Sequence, residues 1–244
     1  LDKLQIEDIK PSSRRDPSIV FKAARVMGDE ALNVVGVNHS YGDNEVLKDI
    51  NLKFDPDEKV ALIGVNGVGK TTLLKILMEE MKPSSGEIHW GATIENSYFP
   101  QDTADIIEGD GTLYDWLRAF DPKRDIAEIR NCLGRMLFNG EQQEKSVVSI
   151  SGGEKHRMML SKMMLEGGNF LVLDEPSNHL DLEAIVALGE ALHAFKGNVI
   201  CVSHDRELLD AFATRIIELR EDGTYVDFKG TYEEFAEAKE AGQI

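Results

Sequence analysis

The chain has 244 residues, enough for one large domain or two small ones, and 42% of them are apolar, enough for a sizeable core. Its 27 Lys and Arg stand against 44 Asp and Glu, and this formal charge of −17 argues against a general polyanion-binding surface, though not against a local basic contact. No apolar run approaches the ~20 residues that cross a bilayer and no signal peptide leads the chain, so a cytoplasmic protein is expected, with any membrane partner a separate chain.

Leu1, Leu4, Ile6 and Ile9 fall on roughly one helical face, and Pro11-Ser12-Ser13-Arg14-Arg15-Asp16-Pro17 breaks that helix and reads as a linker. The chain starts at Leu1 rather than Met, so a piece of something longer is expected. A compact domain is expected from near Ala31. Residues 31–38 and 46–54 read as strands joined by a polar turn at Gly42-Asp43-Asn44. Residues 59–63 form a short apolar strand that runs into a Gly-rich loop, and 70–81 read as a helix ended by Pro83-Ser84-Ser85-Gly86. Two more strands are expected at 87–90 and 94–99. From 102 to 148 the chain turns acidic and helical, with helices near 112–120 and 123–137; the acidic run at 102–110 reads as a solvated face. A helix from Ser151, a strand at 170–174, a helix at 182–195 and a strand at 198–202 follow. This alternation predicts an α/β fold: a mostly parallel sheet covered by helices, with 102–150 as a helical insertion and no internal repeat. Met158, Met159, Met163 and Met164 lie at helical spacing and read as core packing. Cys132 and Cys201 match no metal or redox spacing and read as buried reduced thiols.

Gly64-Val65-Asn66-Gly67-Val68-Gly69-Lys70-Thr71 fits the pattern G-x-x-x-x-G-K-[ST], and Thr72 follows it. Glycines let backbone N–H groups turn inward around phosphate oxygens, and the helix that starts here points the positive end of its dipole at the anion. Lys70 would bring positive charge to the β and γ phosphates, and the Thr71 hydroxyl would ligate Mg²⁺. The apolar run Phe170-Leu171-Val172-Leu173 ends in Asp174-Glu175-Pro176. Carboxylates buried at a strand tip are costly without a partner, and a metal and a water are suitable ones. Asp174 would hold Mg²⁺, directly or through water, and Glu175 would take the proton of the attacking water. Two acids after a strand are weak evidence alone, since a helix cap explains them equally well; the phosphate loop favours the catalytic reading. Ser151-Gly152-Gly153-Glu154 opens a helix. It has an anion-binding shape, yet Ser151 is also a good N-cap, and by itself the segment reads as a cap.

Taken in order over residues 31 to about 235, these motifs resemble the ATP-binding cassette superfamily. Residues 64–72 are similar to its Walker A loop, 170–175 to Walker B, and Ser151-Gly152-Gly153-Glu154 to its signature. Gln101, after Ser97-Tyr98-Phe99-Pro100, resembles the Q-loop glutamine that senses Mg²⁺ and the γ-phosphate. Ser177-Asn178-His179-Leu180-Asp181 looks like the D-loop, which makes Asp181 a nucleotide-site candidate. His204, in Val202-Ser203-His204-Asp205-Arg206, stands where the switch histidine sits. Tyr41 resembles the aromatic residue that stacks on adenine. The plainer alternatives are a core or turn aromatic for Tyr41 and a capping or structural histidine for His204. The resemblance implies a P-loop ATPase fold with an antiparallel β subdomain and a helical subdomain, ATP and Mg²⁺ as cofactors, and a nucleotide held between two cassettes.

The wording of the signature, of Asp174-Glu175-Pro176-Ser177-Asn178-His179-Leu180-Asp181 and of the switch segment is similar to the ABC-F group, in particular its translation-throttling bacterial branch. Gly230-Thr231-Tyr232-Glu233-Glu234-Phe235 resembles that group's closing segment, and Ile9-Lys10-Pro11-Ser12-Ser13-Arg14 the end of its inter-cassette linker. Ser177 stands where Thr is usual and Ile150 where Leu is usual. The resemblance implies a linker end at 1–30 and a C-terminal cassette at 31–240. It also implies a second cassette as partner, in the same chain or as a second copy, and action on the ribosome with its rRNA and tRNA, without membrane insertion. A transporter ATPase subunit would need a membrane chain docking near Gln101. A DNA-repair or chromosome-structuring ATPase would carry a long coiled coil or zinc module, and no heptads or Cys pairs lie between Thr72 and Ser151.

Overall fold

A computed structural model describes residues 16–103 and 106–244. The helix expected over 1–10 and most of the linker after it lie outside the described residues. The chain first builds a three-stranded antiparallel sheet from β1 (Leu32–Tyr41), β2 (Asn44–Phe54) and β4 (Ser85–Trp90), in the order β2-β1-β4. Val34, Val37, Leu47, Ile50, Leu52 and Phe54 are buried, so this sheet has one dry face. Gly42 at φ 60° makes the turn between β1 and β2, a conformation that glycine adopts without steric cost.

The second sheet has six strands in the order β5-β6-β7-β3-β8-β9. These are β3 (Lys59–Ile63), β5 (Asn96–Phe99), β6 (Phe170–Asp174), β7 (Asn198–Val202), β8 (Arg215–Leu219) and β9 (Tyr225–Lys229). All pairings are parallel except β8 with β9. Every residue of β6 and β7 is buried, as expected for strands covered on both faces. The covering helices are α1 (Lys70–Leu77), α4 (Gly152–Glu166), α5 (Leu182–Ala194), α6 (Arg206–Phe212) and α7 (Tyr232–Glu240). The insertion supplies α2 (Leu113–Phe120) and α3 (Ile126–Arg135), which pack on α4. The expected mixed architecture, with antiparallel and helical parts around a mostly parallel sheet, is therefore what the chain forms.

Three details depart from the sequence-based expectation. The first helix stops at Leu77, not 81. Glu79 turns left-handed at φ 59°, and the Glu80 and Met81 amides donate back to the Lys75 carbonyl, at 2.9 and 3.2 Å. This is a Schellman-type ending with no glycine to announce it. The strand expected from 94 begins at Asn96, because the Ile94 amide closes a turn onto the Gly91 carbonyl. Packing also starts before Ala31. Ile19 and Phe21 are buried in the cluster beneath α3, α4 and α5, and the Ser18 and Ala24 amides donate to the Arg135 and Gly167 carbonyls, at 2.8 and 2.7 Å. Met158, Met159 and Met163 are in that core, and the Met164 sulfur accepts the Val20 amide. Cys132 and Cys201 are both buried free thiols, and burial pushes the Cys132 thiol up to about 11.

Phe170, at the start of β6, meets Trp90 edge-on at 4.9 Å and Phe54 at 5.9 Å, and so joins the two sheets. Phe170→Ala is expected to destabilise the chain by about 3–5 kcal/mol through the transfer and cavity terms of a large core deletion. Urea unfolding checks this; a loss below about 1 kcal/mol would mean that the contact carries little of the sheet-to-sheet packing.

Candidate functional site

In the order β6-β7-β3, three neighbouring parallel strands end at one edge of the sheet, with β5 beside them. Their carboxyl ends bring the Gly-rich loop, Asp174-Glu175, Ser203-His204 and Gln101 together, at the place where parallel α/β sheets bind ligands.

The loop is held open by close packing. A Cβ at Gly64 would lie 2.6 Å from the Leu219 carbonyl oxygen, so only glycine fits where β3 ends. Gly69 caps α1 from the left-handed region at φ 111°, leaving the first helical amides aimed into the cleft. Lys70 is buried, and its Nζ donates to the Gly64 and Val65 carbonyls at 2.8 and 3.0 Å. Burial lowers its pKa, against the pull of Glu175 and Asp174.

Asp174 is fully buried, and neither of its carboxylate oxygens has a hydrogen-bond partner among the described residues. Burial pushes its pKa up. The Thr71 hydroxyl and Lys70 oppose the shift, although the hydroxyl falls short of hydrogen-bond geometry. The Thr71 hydroxyl instead donates to Gln101 Oε1 at 3.4 Å. A hydroxyl, an amide oxygen and a carboxylate form the hard oxygen set that Mg²⁺ takes alongside waters and phosphates. No cluster of three His, Cys, Asp or Glu that would hold an ion by itself occurs among the described residues. The orphaned carboxylate and the oxygen donors therefore fit a magnesium that arrives with a phosphate ligand.

Glu175 adopts φ 52° and is nearly buried, with its amide donating to the Val202 carbonyl at 2.9 Å. Its Oε1 lies 3.2 Å from His204 Nε2. Burial raises the Glu175 pKa, and His204 works against that rise. A carboxyl so placed can take a proton while the imidazole steadies its charge. Ser177 and Ser203 share a hydrogen bond of 3.1 Å that ties the two loops.

Asn66, Gly67, Gly69, Lys70, Thr71, Thr72, Gln101, Asp174, Glu175 and His204 line one cleft of about 490 Å³. Other sequence candidates stand apart. Tyr41 is half exposed beside the cleft, its hydroxyl sharing a 3.2 Å hydrogen bond with Thr72 and its ring edge-on to His39. Gly64 faces a neighbouring cavity against α7. Ser151, Gly152, Gly153 and Glu154 are not walls of the cleft. Ser151 and Glu154 form a capping box on α4, and Lys145 pairs with Glu154 at 3.0 Å. Asp181 caps α5 by accepting the Ala184 amide. The cleft also takes in Asn178 and Val202. Neither is among the expected site residues, although Asn178 lies within the D-loop-like segment Ser177-Asn178-His179-Leu180-Asp181.

A phosphate loop, a buried strand-tip carboxylate and an acid–imidazole pair at one edge of a parallel sheet define a P-loop ATPase. A family profile described as ABC transporter matches residues 47–178, more than half of the chain, and the chain belongs to that family as an ATP-binding cassette. It is 45% identical to "Uncharacterized ABC transporter ATP-binding protein YkpA" of Bacillus subtilis, over 97% of this chain and 44% of that protein. It is 36% identical to "ABC transporter F family member 5" of Arabidopsis thaliana, over 97% of this chain and 34% of that protein. It is also 36% identical to "Energy-dependent translational throttle protein EttA" of Escherichia coli, over 87% and 39%. The chain thus spans less than half the length of the curated relatives it matches. A solved ATP-binding cassette, in its dimeric post-hydrolysis state bound to ADP and Pi, superposes with a TM-score of 0.70 at 20% identity, over 81% of this chain and 98% of its own. That likeness shows the fold. No helix of the described residues is long and apolar enough to cross a membrane.

The raised Asp174 pKa sets the sign of a pH effect. The folded carboxyl holds its proton more tightly than the unfolded one, so the cost of ionising it is absent at low pH. That cost grows as pH rises from the ordinary 3.8 through the raised folded value. Asp174→Asn is therefore expected to melt at a higher temperature than the parent at pH 8 without ligand, with the gap narrowing toward pH 4. A variant less stable than the parent at pH 8 would contradict the unpaired-carboxylate reading.

Proposed function

We propose that this chain is one cassette of a two-cassette ABC-F protein of the cytoplasm. In this reading, residues 1–30 end an inter-cassette linker, 31–240 form the cassette with its helical part at 102–150, and ATP-driven closure fits the pair to the ribosome. The observation that carries the reading is the division of the site: ten of its candidates share a cleft, whereas Ser151-Gly152-Gly153-Glu154 lie outside it. A second cassette offering that segment would complete the nucleotide's enclosure.

Lys70 would leave the Gly64 and Val65 carbonyls to neutralise phosphate charge, while the loop amides and the α1 start hold the phosphate oxygens. Thr71, Gln101 and Asp174 would hold Mg²⁺, which supplies charge neutralisation to the β and γ phosphate oxygens. Glu175 would accept the proton of the attacking water, and His204 would steady the resulting charge. Tyr41 would stack on adenine, its ring held at the Thr72 end of the loop. Closure excludes water and brings the second set of donors to the γ-phosphate. The translational role is supported by the similarity to the throttle protein and to the F-family member.

Phosphate release measured across a dilution series tests the shared site. Activity per chain is expected to rise with protein concentration, because a bimolecular contact completes the site. Full turnover at constant monomeric mass would overturn it. Glu175→Gln in the two-cassette protein is expected to keep ATP binding, to slow hydrolysis by roughly 10²–10⁴-fold, and to pellet with ribosomes when ATP is present. Hydrolysis at the parent rate would remove Glu175 as the base, and absence of the variant from the ribosome pellet with ATP present would remove the ribosomal role.

A further inference from the structure

The start of α4 and the loop after Glu175 touch through a contact that the ATP site does not use. A Cβ at Gly153 would sit 2.8 Å from the His179 carbonyl oxygen, and one at Gly152 would sit 3.8 Å from the His179 ring. His156, one turn along α4, is buried; its Nδ1 lies 3.0 Å from the Gly152 carbonyl oxygen, and its Nε2 has no hydrogen-bond partner among the described residues. The His156 ring meets the His179 ring at 5.2 Å and 70°, and the Phe99 ring at 5.3 Å.

Both neighbours of this ring pair lead to the cleft. Phe99 ends β5 two residues before Gln101. His179, in the left-handed region at φ 65°, follows Asn178, which lines the cleft and whose amide donates to the Glu175 carbonyl at 3.2 Å. At Gly153 the approach of the His179 carbonyl leaves no room even for a Cβ, so the loop and the start of α4 are packed closely enough for a shift of one to be felt by the other.

We propose that His179 and His156 are positioning residues that couple occupation of the cleft to the conformation of Ser151-Gly152-Gly153-Glu154. Filling of the chain's own cleft then alters the segment that it presents to a partner. The use of that segment by a second cassette rests on the proposed function above; the coupling itself needs only this chain. Mg²⁺ beside Asp174 and phosphate on the loop would change the charge around Glu175 and under the 175–178 turn, and the two rings would carry a displacement of that turn to the first turn of α4.

Amide hydrogen exchange on the 244-residue chain, with and without saturating MgATP, tests the coupling. In the parent, MgATP is expected to alter exchange both in the phosphate loop and across 152–156. His179 is exposed on its outer side, so His179→Ala is expected to fold and to bind ATP as the parent does. It is expected to keep the loop response and to lose the response at 152–156. His179→Phe keeps a ring against His156 and is expected to restore it. His156→Leu keeps the bulk, loses the Gly152 contact and is expected to lose the response. A parent with a saturated cleft and no change at 152–156, or His179→Ala responding as the parent does, overturns the proposal, as does Phe behaving like Ala. Failure of the shared-site reading would appear separately, in the dilution series.

Discussion

The arrangement of this cassette turns on one buried carboxyl that has no hydrogen-bond partner among the described residues. Asp174 ends β6, between β5 and β7 in the sheet, with both oxygens buried and without a hydrogen-bond partner among the described residues. Within the protein such a carboxylate costs free energy, and its own pKa records that cost. The nearby groups answer it only in part: Lys70 is engaged with loop carbonyls, and Thr71 is turned to Gln101. Asn178 and His204 complete walls that close around a space large enough for a phosphate chain. In the proposed reading that cost leaves a seat for a cation and its phosphates, a usual relation between a working site and the fold that carries it.

The backbone around that charge is organised to leave donors free. Gly69 begins α1 with no side-chain cap, so amides there remain available to an anion, whereas α2, α4 and α7 all begin with capping boxes that satisfy their own amides. The contrast matters for Ser151. Its hydroxyl already accepts the Glu154 amide, so a ligand approaching α4 meets a helix start that is ordered in advance. Its contact with His179 adds a second constraint, from the side of the cleft.

Much of this was legible in the sequence because it depends on local chemistry. The phosphate loop, the strand ending in Asp174-Glu175 and the apolar runs of β3, β6 and β7 each follow from residue type and spacing, and their order dictates a shared edge. What escaped depends on contacts across the chain or on backbone choices without a marker. The end of α1 rests on Glu79 in a left-handed turn that glycine more often makes. Ile19 and Phe21 join the core from a segment whose prolines read as linker, because their partners lie more than a hundred residues away. Asp181, a nucleotide-site candidate by motif, also has a local role that spacing does not announce: one of its carboxylate oxygens accepts the Ala184 amide at the start of α5. The His156–His179 pair is invisible to periodicity, since the rings meet only after β6 has placed its loop beside α4.

The central claim is that the buried Asp174 carboxylate is built for a magnesium ion that arrives with ATP. Calorimetric titration of ATP, with Mg²⁺ and with chelator, into the parent and Asp174→Asn tests it most directly. The parent should bind ATP more tightly with Mg²⁺ than without, and the variant should lose most of that difference while still binding the nucleotide through the loop. An equal Mg²⁺ dependence in parent and variant would contradict the account, because the buried Asp174 carboxyl would then have no part in holding the ion.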